Sequence, residues 1–388
     1  MWTWLALFAL VSGSLHYYVW RRLVHDTSLP APWPKVLTIA LAALAVVLVG
    51  SFWLSRNLPD AVRSAVMLPI YVWMGMLFLF SVIFLGIDLV RGSVKLATVF
   101  TDSTAPDPAR RQFLARLLGG SAAVSVAGLA FVGGRKALAL SQVVIEQVEV
   151  GLKRLPRAMD GFRVVQICDL HLGPTLGPDW CRGIVDKVNA LEPDLIVIPG
   201  DIVDGSVERL REHVAPLADL RAPHGVFFCT GNHEYYSGAV AWCEYFPKLG
   251  IRVLRNETVA IGEGGVGFDL AGIDDYRSRG MAPGHGPDLR KALEGRDPER
   301  EVVLLAHQPI AVHEASEHGV GLQLSGHTHG GQMWPFHYIT KMAQPYLAGL
   351  ADHNGTQIYV NQGTGYWGPP LRVGTFAEIT ELTLRARA

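Results

Sequence analysis

The stretch 162-FRVVQICDLH-171 is a short apolar, β-branched run followed directly by an aspartate and a histidine. The same arrangement recurs in 194-DLIVIPGD-201 and in 225-GVFFCTGNHE-234. Runs of this length and composition predict buried strands. In α/β folds, polar side chains that follow parallel strands collect at the carboxyl edge of the sheet. We therefore expect these three segments to bring their Asp, Asn and His side chains to one site.

Further apolar runs and stretches of helical periodicity continue along this half of the chain. Helical spacing covers 178–191, 207–219 and 237–248, and Pro247 predicts an early stop to the last of these. Strands that alternate with helices predict an α/β fold with parallel pairing, and antiparallel additions extend it to a sandwich of two sheets. The predicted strands are 143–150, 162–168, 194–199, 225–230, 301–306, 321–325 and 357–361, with 268–272 and 377–384 as the additions.

The N-terminal part of the chain is far more apolar than this half. Hydrophobic residues make up 49% of the 388 residues, and the mean hydropathy of +0.24 is high for a wholly soluble protein. A bilayer core about 30 Å thick needs about 20 apolar residues as a helix, and three uncharged segments have that length. A fourth is shorter and rich in Gly and Ala, so an interfacial or buried helix is its alternative. The four predicted spans are 2–20, 36–54, 66–87 and 117–134.

These spans predict an all-α transmembrane region of about four helices over 1–137 and a soluble domain over 143–388. Lys and Arg concentrate in cytoplasmic loops, and no basic residue precedes the first span, so we expect the N-terminus and the soluble domain outside the cytoplasm. Arg110-Arg111 resembles a twin-arginine export signal, with plain cytoplasmic anchoring as the alternative. The first and third loops carry Arg21, Arg22, Lys35, Arg91, Lys95, Arg110 and Arg111, and the second carries Arg56 and Arg63.

The net charge and the cysteines of the chain indicate which partners and disulfides to expect. A formal net charge of −1 supplies no strong positive field, so we expect no nucleic-acid partner. The cysteines form no C-x-x-C pair and predict buried thiols with at most one disulfide. They are Cys168, Cys181, Cys229 and Cys243.

Five predicted strands end next to side chains that can bind a metal. Each motif alone is weak evidence, because D-x-H pairs lie on many surfaces, G-D is a common turn, and a lone histidine is usually a satisfied polar residue. Glycines allow the backbone to approach closely, and chance does not readily place ligands after five successive apolar strands. The motifs are D-L-H at 169–171, G-D at 200–201, G-N-H-E at 231–234, the histidine at 307 and G-H-T-H at 326–329.

This ordered set resembles the motifs of the calcineurin-like metallophosphoesterase superfamily over about residues 155–385. The stretches 326-GHTHGGQMWPF-336 and 362-QGTGYWGPPLRVG-374 are similar to membrane-associated bacterial phosphoesterases of the YkuE/YaeI type. A proline common before Glu378 in those proteins is absent, which concerns only a strand start. The resemblance implies an α/β/β/α sandwich, a metal-dependent phosphoric ester hydrolase and a location in the bacterial cytoplasmic membrane.

The resemblance also implies a site with two divalent metal ions, Mn, Fe or Zn, held by Asp, Asn and His without a thiolate. Asp201 would bridge the ions, and a hydroxide held between them would attack phosphorus. His233 would stabilise or protonate the leaving oxygen. The implied ligands are Asp169, His171 and His329 for one ion and Asn232, His307 and His327 for the other.

Several neighbouring features have two interpretations each. Residues i and i+2 of an extended backbone point the same way, which would explain the D-x-H and H-x-H spacings. Asp275 is either an orienting partner of a histidine or, as we expect, a solvated loop carboxylate, and Cys168 is expected in the core. Four aromatic residues are either an apolar rim of the site or core packing, and we expect core packing for at least two of them. They are Trp334, Phe336, Tyr366 and Trp367.

The function that these features favour is a membrane-anchored phosphoesterase for a phosphate mono- or diester, with a lipid-linked ester as a candidate substrate. One alternative is a pyrophosphohydrolase of a nucleotide-linked lipid precursor, which would use the same metal core. Another is a membrane sensor that binds phosphate through its metals without turnover. The presence of His233 disfavours the sensor, since a binding-only site has no use for an acid on the leaving group.

Overall fold

The computed structural model describes residues 2–98 and 107–387, which form two compact units. The helical unit comprises the described residues up to Gly134 together with Gly368–Leu371. The α/β unit comprises Arg135–Trp367 and the described residues from Arg372 onward.

Long apolar helices build the helical unit, because uninterrupted apolar sequence satisfies its backbone groups internally as helix. Each of the four predicted spans lies within one helix. Three helical stretches, 33–57, 62–97 and 109–138, are long and apolar enough to cross a membrane. The helices are α1 (Trp2–Trp20), α2 (Trp33–Asn57), α3 (Asp60–Thr98) and α4 (Pro108–Leu138).

Polar contacts join these helices where their apolar faces pack. Asp88 of α3 accepts hydrogen bonds from Tyr18 and Arg22, each at 2.6 Å. Within the apolar stretches, the Trp73 indole donates to Nε2 of His16 at 3.0 Å, and Nδ1 of His16 faces the Ser12 carbonyl at 2.8 Å. Both ring nitrogens of His16 are thus partnered, as a polar group inside an apolar helix bundle requires.

The α/β unit alternates short strands with helices along the chain. Its helices are α5 (Pro178–Asn189), α6 (Val207–Val214), α7 (Asn232–Ser237), α8 (Ala239–Tyr245), α9 (Leu289–Ala292), α10 (Val312–Glu317) and α11 (His337–Ala343). Its strands are β1 (Val144–Leu152), β2 (Arg163–Gln166), β3 (Leu195–Pro199), β4 (Val226–Cys229), β5 (Ile251–Val253), β6 (Glu257–Glu263), β7 (Val266–Gly272), β8 (Val302–Leu305), β9 (Leu322–Ser325), β10 (Gly349–His353), β11 (Thr356–Val360) and β12 (Glu378–Ala386).

The strands form two six-stranded mixed sheets. The first has the order β1-β12-β2-β3-β4-β5 and the second β10-β11-β9-β8-β7-β6. In the first sheet β2, β3, β4 and β5 run parallel, and β12 is antiparallel to β2. In the second, β7, β8, β9 and β11 run parallel, with β6 and β10 as antiparallel edges. Two mixed sheets with central parallel strands confirm the predicted α/β class.

Alternating side chains of the central strands fill two different cores. Val197 of β3 packs between the sheets with Leu305 and Leu324 of the second sheet, whereas its neighbour Ile198 packs under the helices with Ile184 of α5. A third core lies between the outer face of the second sheet and helices α9 and α10. Strands that are buried on both faces have continuous apolar sequences, which is why these strands could be predicted from the sequence. The order of layers is helix, sheet, sheet, helix, as predicted.

The structure corrects two predicted helices and adds elements that the sequence did not predict. The stretch 237–248 is not one helix: α7 starts earlier at Asn232, Gly238 breaks it with a φ of 101°, and Pro247 lies in a short 3₁₀ turn after α8. The predicted 207–219 helix is α only to Val214 and 3₁₀ beyond. Strands β5, β6 and β10 and helix α11 have weak patterns because they lie at sheet edges or on the surface.

Candidate metal centre

The loops that follow β2 and β3 run side by side beyond the ends of their strands. Backbone hydrogen bonds join Asp169 N to Gly200 O and His171 N to Asp201 O, each at 3.1 Å. A further bridge pairs Leu172 with Val203. The sheet register therefore continues into the loops, and it holds Asp169 and His171 beside Asp201.

Two glycines let other loops approach these carboxylates. Gly231 lies against Asp201, and Gly326 lies against Asp169, so that a Cβ at either glycine would overlap a carboxylate oxygen. The close approach lets the backbone N–H of His233 donate to Asp201 Oδ1 at 2.8 Å, and that of His327 donate to Asp169 at 3.0 Å. These bonds fix the orientation of both carboxylates. They confirm the expectation that glycine at these two positions allows the backbone to approach closely.

Five of the seven predicted ligands have a left-handed backbone. Their φ angles lie between 46° and 71°, in a region that side chains with a Cβ rarely adopt. The explanation of the D-x-H and H-x-H spacings by an extended backbone is therefore wrong, because each ligand is turned by a left-handed residue. Strained conformations of this kind persist where surrounding contacts over-determine them, typically at functional sites. The five residues are Asp169, His171, Asp201, His327 and His329.

The donor atoms of the predicted ligands converge in three overlapping groups. In each group the donor atoms lie within 4.8 Å of one another. Asp201 belongs to two of the groups, and His171 also belongs to two. The groups are Asp169 with His171 and His329, His171 with Asp201 and His233, and Asp201 with His307 and His327.

Asn232 completes the last group, since its Oδ1 lies 3.2 Å from His307 Nε2. All of the predicted site residues are thus brought together. His233 lies with His171 and Asp201, although the resemblance assigned it to the leaving oxygen and not to a metal.

The hydrogen-bond partners of His307 show that this donor set suits a cation. Nδ1 of His307 lies 2.8 Å from the carbonyl of Pro199, which can only accept, so Nδ1 carries the proton. In neutral His307 the lone pair on Nε2 then faces two oxygen acceptors and an imidazole nitrogen, at 3.1–3.2 Å. Lone pairs that converge in this way repel unless a proton or a cation lies among them. The three atoms are Asp201 Oδ2, Asn232 Oδ1 and His327 Nδ1.

The same argument applies at His171. Its Nδ1 lies 3.2 Å from the carboxylate of Asp204, and its Nε2 lies 3.0 Å from Nε2 of His329. Nδ1 of His329 is buried without a hydrogen-bond partner in the described part of the chain. Oxygen and imidazole donors without a thiolate fit Mn, Fe or Zn.

Burial and neighbouring charges shift the pKa values of the site histidines in different directions. Burial and the nearby His307 lower the pKa of His327 to about 3, and burial together with His171 holds the pKa of His329 well below its usual value. Both imidazoles are therefore neutral, as metal ligands must be. Burial disfavours a charged His307, but the carboxylate of Asp201 outweighs it and raises the pKa of His307. The negative potential that stabilises a second proton on His307 would also attract a metal ion, which would displace that proton on binding.

Asp204 is a residue of the candidate site that the sequence analysis missed. Its Oδ1 accepts from His171 Nδ1 at 3.2 Å and from His233 Nδ1 at 2.5 Å. Burial alone would lower the pKa of His233, but Asp204 and Asp201 outweigh it and raise it to about 9. The sequence did contain a second aspartate near the G-D motif, since Asp204 stands three residues after Asp201 in 200-GDIVDG-205. That spacing matched none of the ligand patterns that we considered.

Glu234 of the G-N-H-E motif acts through the backbone. Its carboxylate accepts from the N–H groups of Gly231, Asp201 and Ile202 at 2.8–3.0 Å and is fully buried. It thereby ties the start of α7 to the loop that carries Asp201.

The interpretation of Asp275 as a solvated carboxylate is wrong. Asp275 is buried and accepts from Gln308 Nε2 at 2.9 Å, because the chain after β7 turns inward beside the end of β8. Its side chain thus orients the residue next to His307. Cys168 is buried as expected, with its thiol 3.3 Å from Asn361 Oδ1, and all four cysteines are free.

The four aromatic residues near the motifs are mostly exposed. Tyr366 is buried, whereas Trp334, Phe336 and Trp367 lie at the surface. Our expectation that at least two of the four pack in the core is therefore wrong. Each of the exposed three lies in a loop or just before a short helix.

Comparisons with known proteins agree with this fold and site. The model of the family described as "Calcineurin-like phosphoesterase" matches residues 162–331. A "Transmembrane protein with metallophosphoesterase domain" from Bos taurus is 43% identical over 253 residues, 62% of this chain and 57% of that protein. The "Uncharacterized metallophosphoesterase YkuE" of Bacillus subtilis is 33% identical over 291 residues, 71% of this chain and 98% of that protein.

A Helicobacter pylori protein, strain J99, described as "Uncharacterized metallophosphoesterase", is 40% identical over 247 residues, 63% of this chain and 65% of its own length. The chain thus spans 57–65% of the length of the bovine and Helicobacter relatives.

The converging Asp, Asn and His side chains form a candidate metal site on a sandwich of two mixed sheets. The chain belongs to the calcineurin-like metallophosphoesterase family. Three of its N-terminal helical stretches are long and apolar enough to cross a membrane, and relatives are described as transmembrane proteins.

Proposed function

We propose that this protein hydrolyses a phosphate mono- or diester with two divalent metal ions bound at the converged site. The observation that carries the proposal is the sharing of Asp201 between two groups of donor atoms. A carboxylate has two oxygens and can therefore serve two ions at once. Asp169, His171 and His329 would hold one ion with Asp201, and Asn232, His307 and His327 would hold the other. Mn, Fe and Zn all fit these ligands.

Divalent cations at such a site neutralise charge on phosphoryl oxygens and lower the pKa of water, so that hydroxide is available as the nucleophile at neutral pH. The chain supplies the remaining parts of the reaction. Asp204 occupies Nδ1 of His233, which leaves Nε2 as the nitrogen that can donate a proton to the leaving oxygen. His233 would thus act as the general acid, a role typically worth about 10²–10⁴ in rate.

The substrate class is tested by assaying the purified full-length protein, in detergent, against phosphomonoesters, phosphodiesters and pyrophosphates with each metal in turn. Metal-dependent hydrolysis of a mono- or diester supports the proposal. Hydrolysis restricted to pyrophosphates of nucleotide-linked lipids would favour a pyrophosphohydrolase. Metal-dependent phosphate binding without any turnover would favour a sensor.

We also propose that the N-terminal helices anchor the protein in a bacterial cytoplasmic membrane with its α/β unit on the extracytoplasmic side. The basic residues between the predicted spans, such as Arg22 after the first and Arg91 after the third, support this orientation. A membrane-anchored catalytic unit makes a lipid-linked phosphate ester a reasonable substrate. A reporter fused after residue 388 should be active only outside the cytoplasm, and a cytoplasmic signal would reverse the orientation.

A further inference from the structure

Two aromatic rings flank His233 and remain open to solvent. The ring centroid of Tyr236 lies 5.2 Å from that of His233 at an interplanar angle of 65°, and the ring of Trp367 lies 6.3 Å away at 79°. Tyr236 is 64% exposed and Trp367 is 50% exposed. By contrast, Tyr366, the neighbour of Trp367 in sequence, is 3% exposed. The chain therefore turns one aromatic side chain into the core and leaves the other beside His233.

Hydrogen bonds fix the backbone that carries both exposed rings. Trp367 is clamped by the side chain of Gln332: its N–H donates to Oε1 at 2.9 Å, and its carbonyl accepts from Nε2 at 2.8 Å. Gln332 is itself buried. Tyr236 lies on α7, whose first turn is fixed by the bonds from Gly231 N and Asp201 N to Glu234. An aromatic side chain has only two rotatable bonds, so packing a ligand against it costs little further entropy.

The proposed chemistry places the leaving group against these rings. A general acid must lie within about 2.6–3.2 Å of the oxygen that it protonates, so the first atoms beyond that oxygen must lie close to His233. Tyr236 and Trp367 are its two exposed aromatic neighbours among the described residues. Aromatic rings favour apolar and planar partners over small hydrated ones.

We propose that Tyr236 and Trp367 form a subsite for the leaving group that selects an apolar, preferably planar alcohol over a small polar one. The inference rests on the proposed function, because it takes His233 as the acid. It adds a substrate class: phosphate esters of aryl or similarly bulky apolar alcohols. The products are the free alcohol and inorganic phosphate when the substrate is a monoester, with water supplying the oxygen that joins phosphorus.

The test compares hydrolysis of 2-naphthyl phosphate and ethyl phosphate by the metal-loaded full-length protein. The wild type should prefer the naphthyl ester in kcat/KM, and Trp367→Ala and Tyr236→Ala should each reduce that preference about fivefold or more, since an aromatic contact contributes about a factor of ten at most. Tyr236→Phe keeps the ring but removes the hydroxyl. This variant should retain the preference. Tyr338→Ala, at an exposed tyrosine on α11, is the matched control and should also retain it.

A second readout does not depend on turnover. The ratio of the dissociation constants of methylphosphonate and benzylphosphonate, measured by calorimetry, should fall in the two alanine variants by a similar factor. Unchanged ratios in an active, metal-loaded variant would overturn the subsite and leave the phosphoesterase function intact. Absence of hydrolysis of every ester by the wild type would overturn the proposed function, and the subsite with it.

Discussion

Oδ1 of Asp204 lies 2.5 Å from Nδ1 of His233 and at the same time accepts a hydrogen bond from Nδ1 of His171. One carboxylate therefore sets the tautomer of two imidazoles, leaving Nε2 of each for chemistry. For His171 this nitrogen faces His329, and for His233 it is the nitrogen available to the substrate.

Replacing Asp204 by Asn should impair both imidazoles without removing either. Both histidines bond to the same oxygen of Asp204, and the oxygen of a neutral amide is a weaker acceptor than that of a carboxylate, so both imidazoles are held less firmly. Partners that orient metal ligands or catalytic histidines typically contribute about 10–100-fold in metal affinity or activity. We expect a fall of that size in kcat, measured at saturating metal. Asp179→Asn, an exposed aspartate on α5, is the control, and equal kcat in the two variants would remove Asp204 from the mechanism.

Adding a methyl group at Gly231 or Gly326 should displace a metal-binding carboxylate. The Cβ of Gly231→Ala would overlap Asp201 Oδ1, and that of Gly326→Ala would overlap Asp169 Oδ2. Displacements of about 1 Å can cost about 100-fold in rate, and we expect losses of that order together with reduced metal content. A Cβ at Gly177 meets no atom within 4 Å, so Gly177→Ala should keep its metals. Full metal content in both site variants would contradict the geometry.

Glu234→Gln should destabilise the α/β unit. Three backbone N–H groups donate to the carboxylate, and a glutamine NH₂ would oppose at least one of them. A buried polar group left without a partner costs about 1–3 kcal/mol, and urea unfolding followed by tryptophan fluorescence should show a loss of that size. Glu208→Gln, on α6, serves as the control. A stability equal to that of the control would mean that the carboxylate does not fix the loop.

His233→Ala should separate metal binding from turnover. The proposed acid contributes about 10²–10⁴ to the rate, so kcat should fall within that range while both metals stay bound. His318→Ala, whose ring lies on the surface against the Glu314 carbonyl, should behave as the wild type does. Loss of a metal from the His233 variant would instead make His233 a ligand, in keeping with its position beside His171 and Asp201.

Much of this site could be predicted from the sequence because strand ends are easy to recognise. Val164–Gln166 and the apolar run of β3 are buried on both faces, so their composition marked the strands and the polar residues that follow them. Asp204 and Asp275 were missed or misjudged for one reason. Their roles depend on which loops lie side by side, and single-sequence patterns do not report contacts between distant segments.

The left-handed backbone at Asp169 and His327 could not be predicted from the sequence either, because surrounding hydrogen bonds impose it and the local residue type does not. The exposure of Trp367 depended in the same way on whether another element covers the ring. Glycines at 231 and 326, in contrast, were predicted correctly, since close approach requires the residue without a side chain.

The central claim is that Asp201 joins two metal ions in a working phosphoesterase. The most direct measurement is the metal content of purified wild type and Asp201→Asn by mass spectrometry, combined with phosphoester hydrolysis of the same samples. Asp186→Asn, an exposed position on α5, controls for the lost charge. We predict two metal equivalents and hydrolysis in the wild type and in the control, and the loss of both in Asp201→Asn. Full metal content and unimpaired hydrolysis in Asp201→Asn would contradict the claim.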